Sequence, residues 1–312
     1  MTTDFPRQQA DQLRIVQLNT GSLFEGGWEQ RRHEIVAWLD QLQPDVVCFQ
    51  EVHERDTDDG RLNTAGWIAA HADEDYEWCF GGYPLPRGMN PDRSLLFGSA
   101  VLSRWPIEQQ SLHSLPLADP TSPLANFPWE LFHARTAGLD LFSTHLAAAP
   151  TDSVHRMVQV QAIDDIITDT RGGLDAIAQF GQRRVAMPPI LCGDFNAEPE
   201  SDEIRWLCGL TSLAERTTFF QDAWRVAGDG GPGLTQDWRD NKLAAELNVH
   251  RKRIDYVFVG DPFMRAESAG RVLHAEVAFD TALTGVMASD HRGLVADVAW
   301  PTRPSEWSRP HS

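Results

Sequence analysis

Pro189-Ile190-Leu191-Cys192-Gly193-Asp194-Phe195-Asn196-Ala197-Glu198-Pro199 is an apolar run that halts at a glycine and then sets a carboxylate and an amide two residues apart. In a strand, or an extended exit from one, Asp194 and Asn196 share a face while Phe195 points the other way, into a core. Such a pair can hold a divalent cation or a phosphate oxygen. An Asx turn that merely closes the strand would use the same two residues, so the surrounding chain has to decide.

Upstream, Leu13 to Leu18 reads as a strand that ends at Asn19, and Trp28 to Leu42 as a helix with one buried stripe stopped by Pro44. Asp45 to Glu51 is a second strand, running from apolar to acidic. One strand, helix, strand unit therefore brings Asn19 and Glu51 together on adjacent parallel strands. The acidic segment His53 to Gly60 reads as a solvated loop and Gly81 to Gly88 as another. Asn63 to Ala72 is a short helix and Tyr76 to Phe80 a strand. Leu95 to Ser103 and Ile107 to Leu112 are strands joined at Arg104-Trp105-Pro106 by a hairpin or a sheet-edge turn.

After a proline-rich loop, Leu115 to Pro128, a hairpin turned at Gly138 delivers Thr144-His145-Leu146. Ser153 to Asp169 is a helix that carries Arg156 and Gln159 on one side. Beyond the central stretch lie helices at Ser201 to Leu207, with Ser201 as cap, and at Phe219 to Val226. A long loop follows from Thr235 to Arg253. Strands close the chain at Ile254 to Val259, Arg271 to Phe279 and Leu294 to Trp300, the last preceded by Ser289-Asp290-His291.

The chain has 312 residues, is 42% hydrophobic, and sets 27 Lys and Arg against 45 Asp and Glu for a formal charge of −18. Such a field repels polyanions and speaks against a duplex-clamping nucleic-acid binder. No leader-like start and no membrane-length apolar run stand out. Four cysteines without ligand spacing suit small core residues in a reducing compartment, which makes a cytoplasmic protein the default, although a secreted chain with its leader removed would read the same. Without internal repeats or a linker, residues 11–300 are expected to form one catalytic domain, with 1–10 and 301–312 as flexible termini. The strands are too many, and too often hairpin-connected, for a doubly wound sheet. The expected fold is a four-layer α/β sandwich, two mixed β-sheets face to face with helices outside.

Asn19, Glu51, His145, Asp194, Asn196, Asp255, Asp290 and His291 all fall at or beside strand ends. Each alone has a bland explanation as a cap, a turn or a satisfied histidine. Eight together, rich in hard oxygen donors and lacking a cysteine cluster, favour magnesium or manganese over structural zinc.

In its order of motifs, Asn19, Gln50-Glu51, Ser143-Thr144-His145-Leu146, Gly193-Asp194-Phe195-Asn196, Arg253-Ile254-Asp255-Tyr256 and Ser289-Asp290-His291, the chain resembles the endonuclease/exonuclease/phosphatase superfamily from Leu13 to Trp300. The resemblance implies metal-dependent hydrolysis of phosphoesters. It makes Glu51 the principal metal ligand, aided by Asn19 and Asp290, and His291 the general base or phosphate contact, oriented by Asp255. It makes Asp194 the group that positions or deprotonates the attacking water, and gives phosphoryl oxygens to Asn196 and His145. A second cation would share Asp194, Asn196 and His291, so one or two Mg2+ or Mn2+ ions are implied. Arg156 and Asn241 are further substrate-binding candidates: the Arg-x-x-Gln pattern of Arg156 and Gln159 points to support of the site more than to reading a base, and Asn241, in the loop before Arg253, reads equally as a lid residue held by local turns. The stretch Thr20-Gly21-Ser22-Leu23 lacks the added aspartate that abasic-site endonucleases carry two residues after the asparagine.

The expected activity is hydrolysis of a small or lipid-like phosphodiester or phosphomonoester by in-line attack of an activated water, without a stable nucleic-acid complex. The alternative is a magnesium-dependent endonuclease or exonuclease acting on DNA or RNA, its basic groove hidden inside an acidic average. A noncatalytic binding protein on the same scaffold would require loss of site residues, and all eight are present. Oligomeric state and leaving group stay open.

Overall fold

Two β-sheets of seven and six strands, each built around one parallel pair, stack face to face. The computed structural model describes residues 10–58, 60–89, 94–122, 127, 129–171, 187–248, 250–263 and 265–304. Residues 1–9 and 305–312 of the expected flexible ends lie outside these residues.

The first sheet contains β1 (Gln12–Asn19), β2 (Val46–Thr57), β3 (Gly60–Asn63), β4 (Glu77–Pro84) and β5 (Leu96–Ser103). The chain then crosses to the second sheet for β6 (Ile107–Ser114), β7 (Glu130–Thr136), β8 (Leu139–His145), β9 (Ile190–Asp194), β10 (Phe220–Asp222) and β11 (Asp255–Gly260). It returns to the first for β12 (Val272–Ala278) and β13 (Gly293–Ala299). Among the described residues six α-helices complete it: α1 (Trp28–Leu42), α2 (Thr64–Ala69), α3 (Ser153–Thr170), α4 (Asp202–Leu207), α5 (Ala223–Ala227) and α6 (Lys242–Glu246). Sheet orders are β12-β13-β1-β2-β5-β4, with β3 on β2, and β10-β11-β9-β8-β7-β6.

Three apolar layers account for the stacking. Leu13, Ile15, Cys48, Leu141, Cys192 and Val257 pack between the sheets. On one outer face Ile35, Trp38 and Leu39 of α1 cover Val16, Val47 and Phe49; on the other, Val160 and Ile163 of α3 and Trp206 of α4 cover Phe142, Leu191 and Phe258. Strands buried on both faces need apolar residues at every position, which explains the unbroken runs in β1, β2 and β9. The expected four-layer sandwich of two mixed sheets is the observed fold.

The parallel pairs, β1 with β2 and β8 with β9, set the position of the site. Register aligns Asn19 with Gln50 and His145 with Asp194, and antiparallel β11 places Asp255 opposite Asp194. Carboxyl ends of parallel strands thus converge from both sheets at one rim, where ligands of open α/β sheets bind.

Several local expectations are corrected. His53 to Thr57 is not a loop: β2 runs on, paired with β5 and then with β3. Backbone ladder bonds satisfy that segment whatever its side chains, and Arg61 pairs with Glu54 across it at 2.6 Å. Gly81 to Pro84 likewise belongs to β4, the edge strand, where a proline costs no ladder bond. Arg104-Trp105-Pro106 makes no hairpin, because β5 and β6 lie in different sheets and the link crosses between them. Phe220 to Asp222 pairs with β11 before α5 begins, so the expected helix at Phe219 is shorter and later. Ser201 stands at the N-cap of α4, but its side chain makes no capping bond. The tail does not fray immediately after Trp300, since Arg303 binds Asp45 at 2.7 Å and lies 5.4 Å from the Trp105 ring. Among the described residues no helix is long and apolar enough to cross a membrane.

Candidate active site

Asn19, at the end of β1, is fully buried and joins the two sheets: its Nδ2 donates to Glu51 Oε1 at 3.0 Å and to Asp194 Oδ2 at 3.1 Å. Its Oδ1 accepts from Gly21 N, which fixes the amide orientation. Glu51 sits in a bulge of β2, where register with β5 slips between Phe49 and Val52 and its own φ is +55°. That left-handed geometry is uncommon for glutamate and is held in place by hydroxyls. Ser22 Oγ donates to the Glu51 carbonyl at 2.5 Å and Thr20 Oγ1 at 3.1 Å, while His53 Nδ1 lies 2.8 Å from the same serine. Re-aimed by the bulge, the Glu51 carboxylate turns into the rim.

Gly193 precedes Asp194 because β8 passes too close for anything else. A Cβ there would stand 2.2 Å from the Thr144 carbonyl oxygen. After Asp194 the chain turns: Asn196 has φ +49°, its N–H donates to Asp194 Oδ1 at 2.9 Å, and its Nδ2 donates to Leu146 O at 3.1 Å. The Asx turn and the polar pair are therefore both present. Asn196 ties the exits of β8 and β9 together, which leaves one amide hydrogen and Oδ1 for a ligand.

His291 is set by its neighbours. The backbone N–H donates to Ser289 Oγ at 3.2 Å, and Nδ1 donates to Asp255 Oδ2 at 2.8 Å. Nε2 lies 3.7 Å from Asp194 Oδ2 and 3.6 Å from Asp290 Oδ2. Gln236 Nε2 meets both His291 Nε2, at 2.9 Å, and Asp290 Oδ2, at 3.0 Å. The second Asp255 oxygen accepts from Gln17 Nε2, which also bonds Gln50, and Gln50 continues to Ser143. This buried amide chain ties the sheets beneath the site. His145 lies between Glu51 Oε1, 3.8 Å from Nδ1, and Asp194 Oδ2, 3.6 Å from Nε2, with Trp129 edge-on behind it.

The rest of Arg253-Ile254-Asp255-Tyr256 is scaffolding. Arg253 forks onto Asp222 at 3.0 and 2.8 Å and covers the Tyr256 ring, whose hydroxyl donates to Ala197 O at 2.7 Å. That last bond braces the turn after Asn196.

Two expected substrate contacts are corrected. Arg156, 3% exposed, spends its guanidinium on Glu203 Oε1 at 2.8 Å and on the carbonyls of Ala147 and Ala149. With Gln159, which accepts from Ala147 N, it holds the chain leaving β8 rather than a phosphate. Asn241 Nδ2 donates to the carbonyls of Ser289 and Asp290, and its Oδ1 accepts from Leu243 N in the first turn of α6. The amide nitrogen positions the Asp290 loop, and the oxygen caps α6.

Three residues escaped the sequence reading. Gln17 is two residues before Asn19 on one strand face, a signal that was available. Gln236 lies in a loop without period, and Glu25 in the loop between β1 and α1, and neither carries a motif. A Cβ on Gly21, whose φ is +51°, would stand 2.3 Å from Glu25 Oε2 and 3.2 Å from Asp290 Oδ1.

Charge and burial give each group a distinct state. Burial, with Asp290 and Asp194 adding to it against the Asn19 bond, raises Glu51 to about 7. Burial, then Glu51 and Asp290, raise Glu25 to about 8, with Arg31 opposing. For His291 burial works against the proton but loses to Asp255, Asp290 and Asp194, so its pKa lies well above the ordinary value. His145 goes the other way, lowered by burial despite Asp194. Burial opposes the Asp194 charge, yet His291 and His145 hold its pKa below the usual carboxylate range.

This arrangement fits a divalent cation. Glu51 Oε2 and Glu25 Oε2 are shut off from solvent with no hydrogen-bond partner, a costly state for carboxylate oxygens unless a cation meets them. Ligand atoms of Asp194, Asp255 and His291 also lie within 4.8 Å of one another. Asp255 has one oxygen on His291 and the other on Gln17.

The model of the Endonuclease/Exonuclease/phosphatase family matches residues 16–291. The chain belongs to this family. Family members are phosphoester hydrolases, typically dependent on a divalent metal, and this chain carries an acidic and histidine cluster. Nocturnin from Xenopus laevis is 22% identical over 284 residues, covering 89% of this chain and 66% of the relative. The chain thus spans about two thirds of that relative's length. An endonuclease/exonuclease/phosphatase protein from Beutenbergia cavernae superposes with a TM-score of 0.62 at 22% identity, covering 93% of this chain and 72% of the other. D. rerio TDP2 complexed with single strand DNA product gives 0.62 at 18% identity, over 92% and 98%. These superpositions establish the fold of the endonuclease/exonuclease/phosphatase family member described here.

Proposed function

We propose that this chain is a divalent-metal-dependent phosphoesterase that hydrolyses a small or lipid-like phosphodiester or phosphomonoester. The single observation that carries the reading is the fixed imidazole: His291 is bound through Nδ1 to Asp255, and its Nε2 faces Asp194 Oδ2 at 3.7 Å beside the Glu51 carboxylate. Glu51 and Asp290, with Asn19 orienting Glu51, would hold Mg2+ or Mn2+. When bound, the ion supplies charge neutralisation and polarisation of a phosphoryl oxygen.

The chain's own groups do the rest. The Asp255 carboxylate fixes the His291 tautomer so that Nε2, met by Gln236 Nε2, is the edge that accepts or holds a proton. Asp194, kept ionised by two imidazoles, offers Oδ2 to orient a water between them. His145, rendered neutral by burial, and the free amide hydrogen of Asn196 point hydrogen-bond capacity at a phosphoryl oxygen. A second ion would draw on Asp194, Asn196 and His291. His291 serves here as the proton-handling group.

Substrate class rests on charge. A formal −18 disfavours a polynucleotide, whose binding depends on neutralised phosphates. Four free buried cysteines support a reducing, cytoplasmic setting. One observation favours the nuclease alternative: Trp238, two residues from Gln236, is 49% exposed with Arg239 5.9 Å from its ring, a face on which a base can stack. The test is a panel of abasic duplex DNA, single-stranded nucleic acid, phosphoinositides and sphingomyelin, with magnesium and with manganese, each beside His291→Ala. Turnover confined to lipid or small esters, lost in the variant, supports the proposal. Turnover confined to nucleic acid, weakening steeply with salt, would transfer the assignment to the nuclease reading.

A further inference from the structure

The loop between β1 and α1 is locked in an unusual way. Arg31, 2% exposed, gives its guanidinium to five backbone carbonyls, those of Thr20, Gly21, Glu25, Gly26 and Ala288, and to no carboxylate. The bonds wrap residues 20 to 26 around the cation and join them to the segment that leads into Asp290. They fix the place of the Glu25 backbone, and the side chain folds back over Gly21 into the rim.

At that point three carboxylates meet. The position that a Gly21 Cβ would fill is 2.3 Å from Glu25 Oε2 and 3.2 Å from Asp290 Oδ1. No side chain can occupy it at φ +51° with those oxygens in place, so the glycine keeps it open. Glu25 Oε2 and Glu51 Oε2 are each buried without a partner. Gln236, 4% exposed, occupies Asp290 Oδ2, leaving Asp290 Oδ1 with only the weak 3.2 Å contact to Ser289 Oγ, and Gln236 Oε1 is itself buried and unpartnered. Oxygens this poorly satisfied in one small volume have the chemistry of a seat for a hard divalent ion.

We propose that Glu25 is a direct ligand of the divalent cation, completing with Glu51 and Asp290 a three-carboxylate seat closed by the β1–α1 loop. The inference rests on the reading that Glu51 holds a cation, and adds to it a ligand that no motif of the sequence marks. It also gives Arg31 a purpose: by binding carbonyls it shapes the loop that presents Glu25.

The experiment is manganese binding to the EDTA-stripped full chain, read as free Mn2+ by electron paramagnetic resonance, with melting in EDTA as the check on folding. Glu25→Gln should weaken binding at least about 10-fold, a loss that even outer partners of a metal site produce. Glu25→Asp should weaken it too, because the charge stays but the oxygens withdraw by a methylene. Glu29→Gln, which changes an exposed acid four residues further along the chain, should bind as wild type. If Glu51→Gln is weakened but both Glu25 variants bind as wild type, the proposal fails and the cation reading stands. Weakening in Glu25→Gln but not in Glu25→Asp would reduce Glu25 to a charge acting through space, which also overturns the proposal. Wild-type binding by Glu51→Gln would remove the cation reading itself.

Discussion

His291 Nδ1 donates to Asp255 Oδ2 at 2.8 Å, although the two residues are 36 positions apart and arrive from the loop before β13 and the start of β11. Both are almost wholly buried, so the bond fixes one tautomer and leaves Nε2 as the working edge. Asp255→Asn replaces the acceptor by an amide that can present its own N–H to the ring and stabilise the wrong tautomer. Turnover of the preferred ester is expected to fall about 10² to 10⁴-fold, with the circular dichroism spectrum unchanged. Activity within a few-fold of wild type would deny the pair its role.

Arg156 is a strut, and its removal should register as stability. It pairs with Glu203 at 2.8 Å where both side chains are under 5% exposed. Arg156→Ala leaves Glu203 buried and uncompensated and should cost roughly 3–5 kcal/mol in denaturant unfolding. KM per folded enzyme should hardly move. A selective rise in KM with stability intact would restore the substrate-contact reading.

Gly193→Ala sets a methyl 2.2 Å from the Thr144 carbonyl oxygen, a backbone atom that cannot swing aside. Strand β9 must shift, carrying Asp194 with it. Unfolding titrations should show a loss of about 1–3 kcal/mol, accompanied by a drop in turnover. An unchanged midpoint would show that β8 and β9 separate more easily than their register implies.

Proton linkage gives the cation-free protein a definite pH response. Glu51 lies at about 7 and Glu25 at about 8, both above the ordinary 4.5, with burial the largest cause in each. A carboxyl with a raised folded pKa binds its proton more tightly when folded; its stabilisation is complete below the unfolded pKa and is lost as pH rises through the folded one. His291, raised well above its usual value, acts in the same direction. EDTA-treated protein should therefore melt lower at about pH 9 than at about pH 6, and added manganese should narrow the gap. A melting temperature that rises over that interval would contradict these shifts.

Much of this site could be read from the chain because parallel pairing converts sequence order into spatial convergence. Asn19, Glu51, His145 and Asp194 each terminate or bend a strand, and the two parallel pairs carry all four to one rim. Phe195 and Tyr256 entered the outer core as alternation requires. Loops were illegible for a physical reason: Gln236 and Glu25 reach the site through turns held by Lys252 and Arg31, bonds between segments that no local period encodes. The polar continuation of β2 was missed because a ladder with β5 and β3, rather than its own side chains, makes it a strand. Arg156 and Asn241 were misplaced for the opposite reason, since polar residues near a motif can serve the backbone that presents it.

The account stands or falls on the metal requirement of Glu51. The direct measurement is turnover of a chromogenic phosphate ester by EDTA-stripped enzyme as magnesium or manganese is added back, for wild type, Glu51→Gln and His291→Ala. Wild type should be inactive without the ion and recover saturably, Glu51→Gln should need far more ion or never recover, and His291→Ala should stay inactive at saturating ion. Hydrolysis without added ion, or an unchanged ion requirement in Glu51→Gln, would contradict the account.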